Sequence, residues 1–246
     1  MDCERLAMLY IKKIRASKEV VDEINRVKRE QKSLLDKRDH QSARTAFNCL
    51  DKSLIRDSLI REQHGLCAYC MRRIENNSDM TIEHWQPIEQ NVDGAMDYEN
   101  MLGVCDGGRK VNEADYEEHH VLCCDASKGN KTITISPLNQ LQMQKIRYSE
   151  DGRIYTYPRD EILEKDINDV LRLNGANNLD TSTRLLRGRR EAYRAYARFI
   201  EKLSRDKKLS RSYIEKRIAK LESQAIYDEF SGVIIYFLKR KLKQNL

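Results

Sequence analysis

Apolar residues recur at helical spacing over most of this chain, and one central stretch breaks the pattern. Across residues 6–37, Leu9, Ile11, Ile14, Val20, Val21, Ile24 and Val27 fall at helical intervals among charges. Neither Gly nor Pro interrupts them, so the pattern predicts one helix whose narrow apolar stripe packs on a partner. A polar break is expected over residues 38–44. Residues 45–63 then resume as helix through Leu50, Leu54, Ile55, Leu59 and Ile60. The period changes at His64-Gly65, and residues 80–85 read as a short strand stopped by Pro87. Alternation around Glu150-Asp151-Gly152 predicts a hairpin over 147–157. Residues 158–173 read as helix ending at Asn174-Gly175, and Asp180-Thr181 as the cap of the next. That helix carries Leu185, Tyr193, Tyr196, Phe199, Ile200 and Leu203, with Gly188 as a weak point. A helix pair over 210–222 and 224–242 completes the chain.

Composition narrows the class. The 246 residues are 34% charged and 40% hydrophobic, with a mean hydropathy of −0.74. No run approaches the roughly 18 consecutive apolar residues of a membrane span. The longest candidate, GVIIYFL at 232–238, is expected as one or two buried helical turns. The start, MDCERLAMLY, lacks a signal-peptide pattern, and seven cysteines without one point to a reducing cytoplasm where clustered thiols bind metal. The expectation is a cytoplasmic protein with no membrane partner. The net charge of +6 is unevenly spread. Residues 181–246 hold 18 Lys or Arg against 7 Asp or Glu, a net +11; residues 61–140 hold 7 against 14, a net −7. An acidic centre suits cations, and a basic flank suits a polyanion or is a solvated helix face.

The chemistry concentrates in residues 64–139. Cys67 and Cys70 form a C-x-x-C knuckle, and Cys105 with Cys124 supplies a second pair of thiolates, a set suited to one structural Zn²⁺. Cys123 is an alternative to Cys124, and His119 and His120 are alternative nitrogen ligands. Between the pairs lies Glu83-His84 at a strand end, and behind the second lie Asp125 and Lys128. Cys3 and Cys49 read as small buried apolar residues, Trp85 as a packing residue, and His40 and His64 as ordinary surface or capping residues. No G-x-x-x-x-G-K-[ST] loop occurs, so any ATPase function belongs to another chain.

C-x-x-C, Glu-His, a middle Asn and C-D-x-x-K-G together resemble the HNH endonuclease superfamily and its ββα-metal fold. The longer pattern CAYC…IEHWQP…YENMLGVCDGG…CDASKGNK…ISPLN resembles the PtuB nuclease subunits of Septu anti-phage systems and related retron effectors. The resemblance runs from Leu66 to Asn139, under a third of the chain. It implies His84 as general base, Glu83 and Asp125 as ligands of a catalytic Mg²⁺ or Mn²⁺, and Asn100 as the residue holding the site loop. Lys128 would contact phosphate. Glu83 stands where the family usually has Asp, and Asp125 where it has Asn or His; Cys105 and Cys124 replace a tight C-x-x-C. An ABC-type ATPase partner is implied too. Arg187, Arg190 and Arg194, with Arg189 and Arg198, are candidate DNA contacts on the basic helix.

The expected fold is mostly α (α+β), with a zinc-stabilised ββα-metal module embedded between helical segments. Its parts are an N-terminal helical segment (1–63), the module (64–140, with an insertion at 106–122), and a hairpin plus basic helical region (141–246). The expected function is metal-dependent DNA cleavage. The alternatives are a catalytically inert zinc-binding adaptor and a nuclease acting on RNA or tRNA.

Overall fold

The computed structural model describes residues 10–110 and 121–244. Among the described residues the chain is mostly helical with two small antiparallel sheets, an α+β arrangement. Among the described residues no helix is long and apolar enough to cross a membrane.

The first predicted helix is corrected. Its beginning lies outside the described residues, and residues 10–17 are not helical. They run along the central module instead, where Ile11 N–H donates to Pro137 O (3.0 Å) and Ile14 N–H to the Glu62 carboxylate (2.8 Å). Lys13 pairs with Glu62 at 2.9 Å, donates to Met101 O at 2.8 Å and lies 4.0 Å from the Tyr98 ring centroid. These tertiary bonds override the local helical pattern. Helix α1 (Lys18–Glu30) begins where Ser17 caps the Val20 N–H, and it buries Val20, Ile24 and Val27 along one stripe. A short α2 (Lys32–Leu35) follows.

The helix expected over 45–63 is two. Asp39 caps α3 (His40–Asn48) through the Ser42 N–H, so the polar break is shorter than the pattern suggests. Asp51 caps α4 (Lys52–Glu62) through the Ser53 N–H and restarts the helix. Cys49, expected to be buried, is exposed at the junction.

At the centre, β1 (Met80–His84) pairs antiparallel with β2 (Met101–Cys105), placing Glu83 opposite Leu102 and His84 opposite Met101. Helix α5 (Cys124–Lys128) packs on β2, and α4 covers both strands. The insertion falls largely on residues 111–120 and, with His119 and His120, lies outside the described residues, as does Cys3. Then come α6 (Gln140–Lys145) and a hairpin of β3 (Ile146–Tyr148) with β4 (Ile154–Thr156), where the alternation predicted it. Helix α7 (Glu161–Lys165) runs into a π-helical turn, Asp166–Val170, and Gly175 follows at φ 79°.

Helix α8 (Leu185–Arg205), at 21 residues, is the longest among the described residues. Asp180 and Thr181 cap it from upstream: Asp180 accepts from the Leu186 and Arg187 N–H groups, and Thr181 Oγ1 from Leu185. Gly188 is a packing site rather than a weak point, because a Cβ there would lie 2.3 Å from the Phe230 ring. Helix α10 (Ser231–Lys243) packs on α8 and on α9 (Arg211–Glu222), whose Ile214, Ile218 and Leu221 share an apolar cluster with Phe199 and Ile200 of α8; residues 232–238 form buried turns of α10 as expected. The helix predicted from residue 224 is corrected, for residues 224–230 form a strap against the module. Tyr227 N–H donates to His64 O (2.9 Å), Phe230 N–H to Met71 O (3.1 Å), and Glu229 accepts from Arg73 N–H (2.8 Å). His64 is therefore more than a surface residue, since its ring stacks on Tyr227 at 4.1 Å.

Candidate metal centre and active site

Four buried cysteines, Cys67, Cys70, Cys105 and Cys124, bring their sulfurs within 4.8 Å of one another. The Sγ–Sγ separations include 3.9 Å for Cys67–Cys124, 3.7 Å for Cys70–Cys105 and 3.8 Å for Cys105–Cys124. A tetrahedral ion with sulfurs at about 2.3 Å sets edges of about 3.8 Å, so the cluster could hold a metal ion such as zinc. The knuckle is built by Met71 N–H donating to Cys67 O and Ala68 N–H to Gly103 O, both 3.0 Å. Gln63, unnoticed in the sequence, ties α4 to the knuckle and β2 by donating to Leu66 O and Gly103 O and accepting from Gly103 N–H. Cys124 enters at φ 54°, a left-handed conformation rare for a residue with a Cβ, with its N–H bonded to Leu171 O. This turns its sulfur to the cluster. Cys123 is not one of the four: its sulfur meets Thr183 Oγ1 at 3.3 Å and Gly107 O at 3.7 Å, on the flank of the cluster beside Cys105.

The knuckle reaches a second group through Tyr69, which lies between its two cysteines. Tyr69 is fully buried and donates its hydroxyl to Glu83 Oε1 at 3.2 Å. Lys128 Nζ meets the same oxygen at 2.6 Å and lies 3.3 Å from His84 O. The phosphate contact expected of Lys128 is corrected, since the side chain is 1% exposed and its ammonium is taken up inside the module. Asp125 lies on α5 within hydrogen-bonding reach of Glu83, and Arg109 Nη2 donates to its Oδ2 at 3.0 Å. Burial, and then the adjoining Asp125 carboxylate, push Glu83 up to about 8. Two carboxylates crowded in one buried place supply the hard oxygen donors that suit Mg²⁺ or Mn²⁺, so this donor set fits such an ion.

His84 ends β1 and is buried with its ring edge-on to Phe47 at 4.6 Å. Its Nε2 lies 3.0 Å from Ala95 O. A carbonyl only accepts, so Nε2 carries the hydrogen and Nδ1 keeps its lone pair. Burial holds the ring below the ordinary histidine value, against the opposing bond to Ala95. Asn100, just before β2, accepts from Gln86 N–H (2.8 Å) and donates to Gln86 O (2.9 Å) and Gly94 O (3.3 Å). It thereby staples both ends of the loop whose Ala95 fixes His84. Trp85 packs on the core and donates to Ile135 O at 2.9 Å.

Of the α8 arginines, Arg187, Arg190, Arg194 and Arg198 are exposed, and Arg194 pairs with Glu191 at 2.7 Å. Arg189 is corrected as a phosphate contact, because it is fully buried and donates to Gly152 O and Leu173 O. Tyr69 carried a sequence signal in its place inside C-x-x-C, whereas Arg109 carried none. No protein-family model matches this chain, and no curated protein matches it.

Proposed function

We propose that this chain is an HNH-type endonuclease that hydrolyses DNA phosphodiester bonds with a divalent cation, on a module clasped by a structural zinc. The observation that carries the reading is the buried Glu83–Asp125 acid pair, with His84 next to Glu83 in sequence at the end of β1 and its Nε2 held by Ala95 O. His84 Nδ1 is free to take a proton from the attacking water, and its lowered pKa keeps it unprotonated at neutral pH. Asn100 keeps the loop, and with it the ring, in position. Glu83 and Asp125 would hold the Mg²⁺ or Mn²⁺, which supplies stabilisation of charge on the scissile phosphate. The Cys67, Cys70, Cys105 and Cys124 thiolates would hold Zn²⁺ and fix α5 against the knuckle.

Supercoiled plasmid incubated with Mg²⁺ or Mn²⁺ tests this, beside His84→Ala and after zinc per chain has been measured. Cleavage that falls at least about 100-fold in the variant, with zinc content and helical signal unchanged, is the expected result. Equal cleavage by both proteins overturns it. Matched DNA and RNA duplexes decide the substrate.

A zinc-binding adaptor without catalysis is the second reading. It is favoured by Lys128 and Arg109, which already neutralise the acid pair. The resemblance to Septu nuclease subunits extends the first reading to anti-phage defence beside an ABC-type ATPase partner in the cytoplasm. Co-purification with the products of neighbouring genes tests the partner. Cleavage seen only in the resulting complex separates a gated nuclease from an adaptor.

A further inference from the structure

The acid pair is neutralised by two cations of opposite character. Lys128 meets Glu83 from inside the module with 1% of its side chain exposed, whereas Arg109 meets Asp125 from outside with 44% exposed. The chain is held on both sides of Arg109, by packing at Gly107 and by the Lys110 side chain. Gly107, at φ 65°, runs so close to the start of α5 that a Cβ there would lie 2.2 Å from Cys123 O. On the other side, Lys110 Nζ is held by Ser78 O (2.9 Å), Ser78 Oγ (2.6 Å) and Asp79 (2.7 Å). The Arg109 side chain is thus tethered at its root and open to solvent at its head, next to a carboxylate that a divalent cation would claim.

A cation between Glu83 and Asp125 competes with the guanidinium for Asp125 Oδ2 and repels it. The released fork carries paired donors that match a phosphodiester's two free oxygens better than an ammonium does. We propose that Arg109 is an exchangeable brake and phosphate ligand. It holds Asp125 until the divalent cation arrives, and then transfers its hydrogen bonds to the nucleic-acid backbone at the cleavage site. This rests on the acid pair being the cation site of the proposed nuclease.

The test is titration of the zinc-loaded full chain with Mn²⁺ in the absence of nucleic acid, followed by calorimetry. Removing one positive charge a few ångströms from the ion in Arg109→Gln is expected to tighten Mn²⁺ binding about tenfold. In a His84→Ala background with Mn²⁺ present, the same change is expected to weaken binding of a short DNA duplex about fivefold, with Arg109→Lys falling between. Unchanged or weaker Mn²⁺ binding by Arg109→Gln at full zinc content overturns the exchange. Mn²⁺ binding that is tightened in Arg109→Gln, with cleavage absent even from the co-purified complex, supports the release of Asp125 and removes only the nuclease reading. Mn²⁺ affinity that neither Glu83→Gln nor Asp125→Asn alters overturns the acid-pair site and the exchange together.

Discussion

Cys124 is the residue on which the thiolate centre turns, and its left-handed backbone is the reason. Such a conformation costs about 1–3 kcal/mol in a residue with a Cβ and persists where the surroundings over-determine it. Here the Leu171 carbonyl and the cluster itself do so. Cys124→Ser is therefore expected to lose the metal and Cys123→Ser to retain it, as metal analysis of the purified chains will show. Tyr69→Phe keeps the ring's shape but strips a donor from the buried Glu83 carboxylate, and a loss of about 1–2 kcal/mol is expected in denaturant unfolding. An unchanged midpoint would mean that Lys128 alone satisfies Glu83. At this scale ligand type and spacing made the four sulfurs and the Glu-His pair legible. Cys124 rather than Cys123 is the cysteine that the Asp-x-x-Lys-Gly frame favours, and it is the one grouped with the other three sulfurs. The inward turn of Lys128 was hidden, because one helical turn of spacing does not say which way a side chain faces.

Among the elements, β1 and the hairpin stand where the pattern places them, β2 answers to no strand expected from the pattern, and the helices are cut differently. Asp51 can cap a helix or ride inside one, and the pattern of Leu and Ile around it is the same in both cases. Residues 10–17 and 224–230 were read as helix because their backbone partners, Pro137 and Glu62 in one case and His64 and Met71 in the other, are distant in sequence. Arg189 joins the hairpin to α8 from a wholly buried position, reaching Gly152 O, Leu173 O and the Asn174 side chain. Burial holds it below the ordinary arginine value, so the ion is already costly there. Arg189→Ala leaves three carbonyl acceptors and a cavity, and is expected to destabilise the fold by about 3 kcal/mol or more. Arg189→Met, which refills the volume, should recover part of that loss. The comparison is read from urea midpoints, and equal midpoints for wild type and Arg189→Ala would dismiss the role.

Over the whole molecule the acidic module and the basic C-terminal helices divide the work of the proposed function, one holding cations and the other facing a polyanion. Arg187, Arg190 and Arg194 recur at 3- and 4-residue intervals on the exposed face of α8. Reversing all three to Glu is expected to lower the slope of log affinity for DNA against log salt by about 2–3, with the zinc content unaffected. A slope identical to wild type would assign the polyanion surface elsewhere. Both regions share one continuous core, from α1 through the knuckle to Phe237 on α10, so neither is an independent bead on a string. The strap at residues 224–230 gives that continuity a direction. Tyr227 and Phe230 hang by their amides from the carbonyls of His64 and Met71, which flank Cys67 and Cys70 on either side. The α9–α10 hairpin is in effect a handle whose grip is the cysteine knuckle. A protein that seized these helices would be pulling on the thiolates without ever touching the acid pair.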